Sequence, residues 1–483
     1  MSSRTVSAAP SAAPSNMSAL LRHNVRLDRI EYVQLDQLRS YDRKLRKRSD
    51  AALQGLMNSV SAFGIVAPVL IDEHNTIIAG EGIAEAARRL GHVEIPTLRI
   101  EHLSEGEVRL LRIALNKLAE TSEWNTIELS AEFEELLSMD LDVAYEVTGF
   151  GTIEVDNLLH AAAAEAEADD PDDDLVPVGD PADAITRIGD MWDLGDHRVL
   201  CGSSLDTANI ERLMGGHTAV MVLTDHPFNV KIKNNVSGLG RVKHREFVQA
   251  SGEMSEAEFV EFLSTSIRAM AEFCYDGALL YMYMDWRHVW EMMEAIRAAE
   301  LTMINVAVWV KRSPAMGAFY RSQHELVFIA KKGKASHRNN VMLGKYGRSR
   351  SNCWSYPGMN TFSAERAELL AMHPTSKNTA MLADAIRDAS NRGEIVLDGF
   401  LGSGSTLIAA ERTHRVCRGI ELDPVYVDAI IGRWEKVTGR EAVLQETGQS
   451  FEAVAAERRA ERLVEPEATR ADVVARTRTR TAV

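Results

Sequence analysis

Glu394 to Arg412 reads E-I-V-L-D-G-F-L-G-S-G-S-T-L-I-A-A-E-R. An apolar run ends on Asp398, a glycine-rich turn follows, and a helical apolar period begins. Without a Cβ, Gly402 and Gly404 let the backbone turn tightly and approach a ligand closely. The turn falls at the N-terminal end of its helix, where an α/β sheet binds nucleotide-like molecules. Downstream, R-V-C-R-G-I-E-L-D (Arg415 to Asp423) is a second strand that ends at Glu421. An acid about twenty residues after the glycines is placed to accept hydrogen bonds from both hydroxyls of a ribose. The Lys-Ser/Thr pair of a P-loop is missing, so no phosphate is expected on this turn.

Outward from that stretch, residues 185 to 440 alternate strand-like runs with amphipathic helices, which predicts an α/β fold with a largely parallel sheet. The expected strands are R-V-L-C, A-V-M-V-L-T, A-L-L-Y-M-Y-M, I-N-V-A-V-W-V, E-L-V-F-I-A, E-I-V-L-D and C-R-G-I-E-L. Ser255 and Glu258 have the spacing of a capping box. Asp285 and His288 read as caps of the following helix. One of the strands runs straight into T-D-H-P-F (Thr224 to Phe228). Here Asp225 offers a carboxylate, Pro227 stiffens the turn and Phe228 offers an aromatic face.

Together these loops resemble those of the β-class amino-group DNA methyltransferases, in the permuted order with the catalytic loop first. F-L-G-S-G-S-T followed by G-I-E-L-D-P-V-Y looks like the S-adenosylmethionine site of that family, whose usual form is D-P-F-x-G-S-G-T-T. His373 to Asn378 (H-P-T-S-K-N) resembles its H-P-T-x-K-P segment at the methionine end of the cofactor. The resemblance implies a Rossmann-like methyltransferase domain. Asp398, Phe400, Gly402, Gly404, Thr406, Glu421, Thr375 and Lys377 are then the cofactor residues, and S-adenosyl-L-methionine the cofactor.

T-D-H-P-F matches the family's D-P-P-Y loop, with Asp225, His226, Pro227 and Phe228 as its catalytic residues. The amino nitrogen of adenine or cytosine is a poor nucleophile because its lone pair is conjugated into the ring. A side-chain oxygen and a nearby carbonyl accepting its two hydrogens localise that pair, and an aromatic face stacks the flipped base. His226 replaces a proline: it keeps the carbonyl, gives up the fixed φ, and adds a group that ordinarily titrates near neutrality. Slower chemistry or an altered pH dependence is the expectation, with a general-base role for His226 as a minor alternative. Gly399 and Asn378 stand where the family has prolines, and Ser203 where a strand often ends in Asp. Aspartate in first position resembles the N6-adenine enzymes and some N4-cytosine enzymes. Adenine N6 is the expected target; N4-cytosine, or a weakened enzyme serving as a DNA-binding module, is the alternative.

The formal charge is −16, yet residues 311 to 350 hold ten Lys/Arg and a single acid, Glu325. A basic window with interleaved aromatics (Tyr320, Tyr346, Trp354, Tyr356) suits phosphate contacts and stacking. The insert of about 311–372 is therefore the expected DNA-recognition region, with Lys311, Arg312, Arg321, Lys331, Lys332, Lys334, Arg348 and Arg350 on double-stranded DNA. Lys231, Lys233, Arg241, Lys243 and Arg245, just after the catalytic loop, form a second basic set. Core packing is the alternative for Trp354.

Residues 27 to 160 resemble a ParB/sulfiredoxin-like α+β domain through P-V-L-I-D, I-I-A-G-E-G-I-A-E-A-A-R-R-L-G, I-P-T-L-R-I and N-K-L-A-E. Ile83 occupies the place of the arginine that in that fold accompanies nucleotide phosphate, so DNA positioning or oligomerisation is expected rather than a nucleotide switch. A homodimer is open, and any restriction partner is unknown. Residues 1–26 read as a disordered arm, 161–184 as an acidic linker, and 441–483 as a charged helical or disordered tail. The four cysteines are scattered, against a structural zinc or a disulfide framework, and no metal is expected. No apolar run approaches the roughly 20 residues of a membrane span; a reducing cytoplasm is the expected compartment.

Overall fold

The computed structural model describes residues 29–118, 124–139, 143–166, 179–229, 252–311, 319–341, 350–356 and 377–464. The chain divides into two compact units, Met1–Ala162 and Ala163–Val483.

The first unit is built on a four-stranded sheet in the order β1-β4-β2-β3. The strands are β1 (Ile30–Gln34), β2 (Val69–Ile71), β3 (Ile77–Ala79) and β4 (Glu94–Arg99), with helices α1 (Asp50–Phe63) and α2 (Glu81–Arg89) between them. Val33, Val69, Ile71, Ile77, Ala84, Ala87 and Ile95 form its core, and Ile83 packs on that cluster. Gly80 opens α2 at φ 94°, with Val69 Cγ2 only 3.0 Å from where a Cβ would lie. Helix α3 (Glu105–Leu118) lays Val108 on Ile78 and Ile100. Helices α4 (Thr126–Ser138) and α5 (Thr152–Ala166) close a separate small core of Phe133, Val155 and Leu159. The first residues of the expected acidic linker thus continue α5.

The second unit carries a ten-stranded sheet. Its strands are β5 (Met191–Leu194), β6 (His197–Cys201), β7 (Ala219–Asp225), β8 (Cys274–Met284), β9 (Thr302–Val310), β10 (His324–Lys331), β11 (Cys353–Ser355), β12 (Ile395–Asp398), β13 (Val416–Glu421) and β14 (Val443–Leu444). Their order is β11-β9-β10-β8-β7-β12-β13-β6-β5-β14. The five central strands, β8 to β6, are parallel; β10 runs antiparallel to both neighbours and β5 antiparallel to β6. All seven expected strands are present. This is an α/β Rossmann-like fold, with near-continuous apolar central strands because both faces are covered.

Helices α6 (Thr207–Met214), α7 (Glu256–Glu272), α8 (Val289–Ala298), α9 (Thr379–Ala389), α10 (Ser405–Arg412), α11 (Pro424–Thr438) and α12 (Phe451–Val464) complete the unit. In α7 the buried residues Phe259, Phe262, Leu263, Ile267 and Met270 recur at three- and four-residue steps, the stripe of a core-facing helix. The Ser255–Glu258 capping box closes its N-terminus. Asp285 caps a short 3-10 turn and His288 is the N-cap of α8.

The expected boundary at residue 440 falls too early. Strand β14 pairs with β5, and Leu444, Val454 and Ala455 are buried in the main core. The Arg458 guanidinium is buried on Asp190. A sequence of alternating charges hid this, because only one narrow side of α12 is apolar.

Candidate active site

Strands β7 and β12 are neighbours, Val396 opposite Met221 and Leu397 opposite Val222. Two loops separated by about 170 residues therefore leave the same end of the sheet side by side, at the point where the strand order reverses. A buried hydrogen bond joins them: Thr224 Oγ1 donates to Asp398 Oδ1 at 2.7 Å. The Phe400 amide and the Thr406 hydroxyl also donate to the Asp398 carboxylate. Burial raises Asp398 above the ordinary range, and these donors offset it.

Gly402 and Gly404 have φ of 54° and 79°, the left-handed region that favours glycine. A Cβ on Gly404 would lie 3.1 Å from Ile430 Cγ1 of α11. The Gly402 amide donates to Glu421 Oε2 at 2.8 Å and the Asp423 amide to Oε1 at 2.9 Å. Both carboxylate oxygens keep a second lone pair for a hydroxyl. Burial pushes Glu421 up to about 7. Beside it, the Gly202 amide donates to the Glu421 carbonyl, so Ser203 leaves β6 at this edge.

At the end of β7, Asp225 Oδ2 accepts from Lys377 Nζ at 2.6 Å, while Oδ1 is buried with no partner among the described residues. Lys377 also stands 3.1 Å from Glu325 Oε2, and Glu325 Oε1 lies 2.5 Å from Lys311 Nζ. The ammonium sits 5.4 Å from the Phe228 ring centre and 5.3 Å from that of Tyr283, within cation–π range. Burial raises Asp225 to about 6, with Lys377 opposing and Glu325 adding to the shift. Glu325 is also buried, but Lys377 and Lys311 outweigh that and hold it at about 2.

His226 points the other way. Its ring is fully buried, Nε2 lies 3.2 Å from Ser266 Oγ, and the ring centre stands 5.0 Å from that of Phe400. Burial lowers it to about 3, so it stays neutral throughout the physiological range. The expected general-base alternative and the neutral-range titration both fail, because the side chain belongs to the core under the loop. His226→Ala should leave a cavity and cost roughly 2–4 kcal/mol of stability. Its thermal melt should show that loss, while the pH profile of any activity keeps its shape.

The other departures have partners too. Asn378 is the N-cap of α9 and accepts from the Met381 amide at 2.9 Å, so it stiffens the segment in place of a proline. A Cβ on Gly399 would lie 2.7 Å from Met270 Sδ; here glycine answers to the packing of α7.

The basic residues separate into groups. Lys331, Lys332 and Lys334 are a correction: β10 runs antiparallel to β8, which puts them at the opposite end of the sheet, on the order of 20 Å from Glu325. Lys331 Nζ donates to the Ala335 carbonyl at 2.9 Å and Lys332 Nζ to that of Cys274 at 2.7 Å. Arg350 is also reassigned, since it lies 2.8 Å from Asp384 and 2.7 Å from Asp388, half-buried. Lys311 is committed to Glu325. Arg321 is exposed near the site end of β10. Trp354 is core, its ring centre 6.3 Å from that of Tyr281. Lys231, Lys233, Arg241, Lys243, Arg245, Arg312, Arg348 and Thr375 lie outside the described residues.

Two site residues escaped the sequence reading. Glu325 had a signal, as the lone acid of a basic window. Asn229 had a weaker one. At φ 50° it accepts from the Gly252 amide at 3.0 Å and donates to the Met254 carbonyl at 2.9 Å. It ties together the chain leaving the catalytic loop and the chain returning to α7.

Among the described residues no group of three or more His, Cys, Asp or Glu is arranged to hold a metal, and no helix is long and apolar enough to cross a membrane.

Comparisons with known proteins agree with this architecture. Residues 219–432 match the family model of the N6/N4 DNA methylases, 21–116 that of the ParB N-terminal domain, and 128–188 that of the ParB-methyltransferase HTH domain. The helix-turn-helix match, over α4 and α5, is one the sequence reading missed. A DNA methylase domain thus follows a ParB N-terminal domain and a ParB-methyltransferase helix-turn-helix domain along the chain. Among its relatives, YubD of Escherichia coli (strain K12), named as a methylase, is 25% identical over 217 residues, 45% of this chain and 82% of that protein. Type II methyltransferase M2.MboI of Moraxella bovis is 21% identical over 191 residues, 38% of this chain and 68% of that one. Of solved structures, the Thermus thermophilus protein TTHA0409 complexed with S-adenosyl-L-methionine gives a TM-score of 0.36 at 20% identity, over 50% of this chain and 96% of that one.

Proposed function

We propose that the protein transfers a methyl group from S-adenosyl-L-methionine to an exocyclic amino group of double-stranded DNA, with adenine N6 as the target. The observation that carries this reading is the buried Oδ1 of Asp225, without a partner among the described residues, at the end of a strand that is hydrogen-bonded to the strand before the glycine turn. A buried acceptor with no donor is costly unless a ligand satisfies it.

Oδ1 accepts one amino hydrogen of the flipped base and the His226 carbonyl the other, which draws the nitrogen lone pair out of conjugation. Phe228 stacks the base. Pro227 and the core anchorage of His226 hold the loop still. The residues around the glycine turn suit the cofactor: Gly402 and Gly404 open the backbone, Phe400 and Thr406 flank it, and Glu421 retains lone pairs for the ribose. When bound, the cofactor supplies an electrophilic methyl group. Aspartate in first place supports adenine over cytosine. DNA is the partner, through the matched helix-turn-helix region and the basic residues flanking the loop; a homodimer is consistent with a ParB-like domain.

Labelled S-adenosyl-L-methionine and unmethylated DNA test the reading. The product, hydrolysed to nucleosides and resolved by mass spectrometry, should be N6-methyladenine; N4-methylcytosine would move the target to the alternative. Equal label from wild type and an Asp225 variant would leave a DNA-binding module. Because Asp225 is the stronger acceptor and holds Lys377 as an ion pair only when ionised, activity should fall as pH drops through about 6. Glu421, pushed up to about 7, must also be ionised to accept fully. Cofactor affinity, read by calorimetry, should weaken as pH falls below that value.

A further inference from the structure

Four buried or half-buried charges alternate in a line across the site end of the sheet: Lys311, Glu325, Lys377 and Asp225, at spacings of 2.5, 3.1 and 2.6 Å. They come from the end of β9, the start of β10, the N-terminal side of α9 and the end of β7. Their charges cancel, so removing one leaves the others uncompensated in a dry environment. Nothing in the transfer as described needs Glu325 to touch the base or the cofactor.

A lysine ammonium is a point charge with three donors on a flexible stem. Beside a single carboxylate it is free to straddle both oxygens. A second carboxylate 3.1 Å away on the far side draws it onto one oxygen only, and Lys311 in turn fixes that second carboxylate.

We propose that Glu325 is a positioning residue for methyl transfer: anchored by Lys311, it pins Lys377 on Oδ2 of Asp225 and so reserves Oδ1 for the target amino group. The inference rests on the reading of Asp225 as the catalytic acceptor. Among the described residues the charged and titratable groups facing Asp225 are Lys377 ahead of α9, Glu325 on β10, Tyr283 on β8 and Asp398 at the end of β12. Glu325 stays ionised far below neutrality, so it is the fixed charge of the line, while Asp225 is the member that titrates.

Glu325→Gln removes the charge and keeps the shape. The kcat should drop roughly ten- to a hundredfold, as expected for a slightly misplaced reacting group, with KM for the cofactor little changed. The acidic limb of the pH profile should also move to lower pH, because the repulsion that raises Asp225 is gone. A merely structural defect lowers the amount of active protein and leaves that limb in place.

A second measurement is independent of turnover. In the full chain, reductive methylation with formaldehyde and cyanoborohydride, read by peptide mass spectrometry, should modify Lys377 slowly. In Glu325→Gln it should do so several times faster, since the ammonium has lost a partner that raises its affinity for the proton. If the wild type transfers no methyl group, the proposed function falls, while the anchoring of Lys377 is still decided by this labelling. Should Glu325→Gln not fold, Lys311→Met releases the anchor from the other side: kcat should fall, while Lys377 labelling should slow, because Glu325, no longer shared, holds the Lys377 proton more strongly. Unchanged kcat, pH limb and labelling overturn the proposal.

Discussion

Asp225→Ala should cut methyl incorporation roughly a hundred- to a thousandfold in kcat, the scale seen when a preorganised polar group at the reacting centre is deleted. The effect is large because the carboxylate is not replaceable by water. Oδ1 is buried, the ring of Phe228 is close by, and the remaining acceptor is a single carbonyl. The substitution also leaves Lys377 with Glu325 as its one carboxylate partner among the described residues. Asp225→Asn separates charge from hydrogen bonding. The amide keeps an acceptor but loses its hold on Lys377, so activity should stay low and the acidic limb near pH 6 should vanish from what remains. A radiolabel assay at several pH values reads both outcomes, and an Asp225→Ala protein as active as wild type would remove Asp225 from the chemistry.

The second large effect is expected at the cofactor turn. Gly404→Val imposes a β-branched residue at φ 79° and drives its Cβ to 3.1 Å from Ile430 Cγ1. Backbone strain of this kind costs of order 1–3 kcal/mol, and the close contact adds to it. The turn relieves both by rotating, which moves the Gly402 amide off Glu421. Cofactor affinity should therefore fall at least roughly tenfold, while the melting temperature drops by several degrees. Calorimetric titration with the cofactor checks the first and a thermal melt the second; unaltered binding would show that the turn does not approach the ligand.

The sheet and the identity of both loops were legible in the sequence because they depend on local patterns. Apolar runs, glycines at a strand end and an acid after the next strand are all short-range signals. What escaped depends on register and on distant partners. The lysines at 331, 332 and 334 look like DNA-binding residues by composition, yet antiparallel pairing of β10 with β8 carries them to the far end. His226 looks like a titrating intruder in the catalytic loop. Its neutrality comes from burial, in a pocket where Ser266 and Phe400 reach it from a helix and a loop far away in sequence. The same holds for Asn378 and Gly399, whose loss of proline is offset by an N-cap bond and by Met270. Restoring proline at position 226 is accordingly no simple gain, because it deletes a buried ring. Glu325 was visible only as an exception, and its role required knowing that Lys377 reaches it.

The hydrogen bond from Thr224 to Asp398 has an evolutionary consequence. It couples the two chemical loops through adjacent strands, while α7, β8, β10 and Lys377, all between them in sequence, supply the rest of the site. Only the segments between those elements are free to vary without disturbing the reacting geometry. Chimaeras that graft only such segments from a relative should thus keep the recipient's chemistry, whereas a graft of the whole stretch exchanges Glu325 and Lys377 with it.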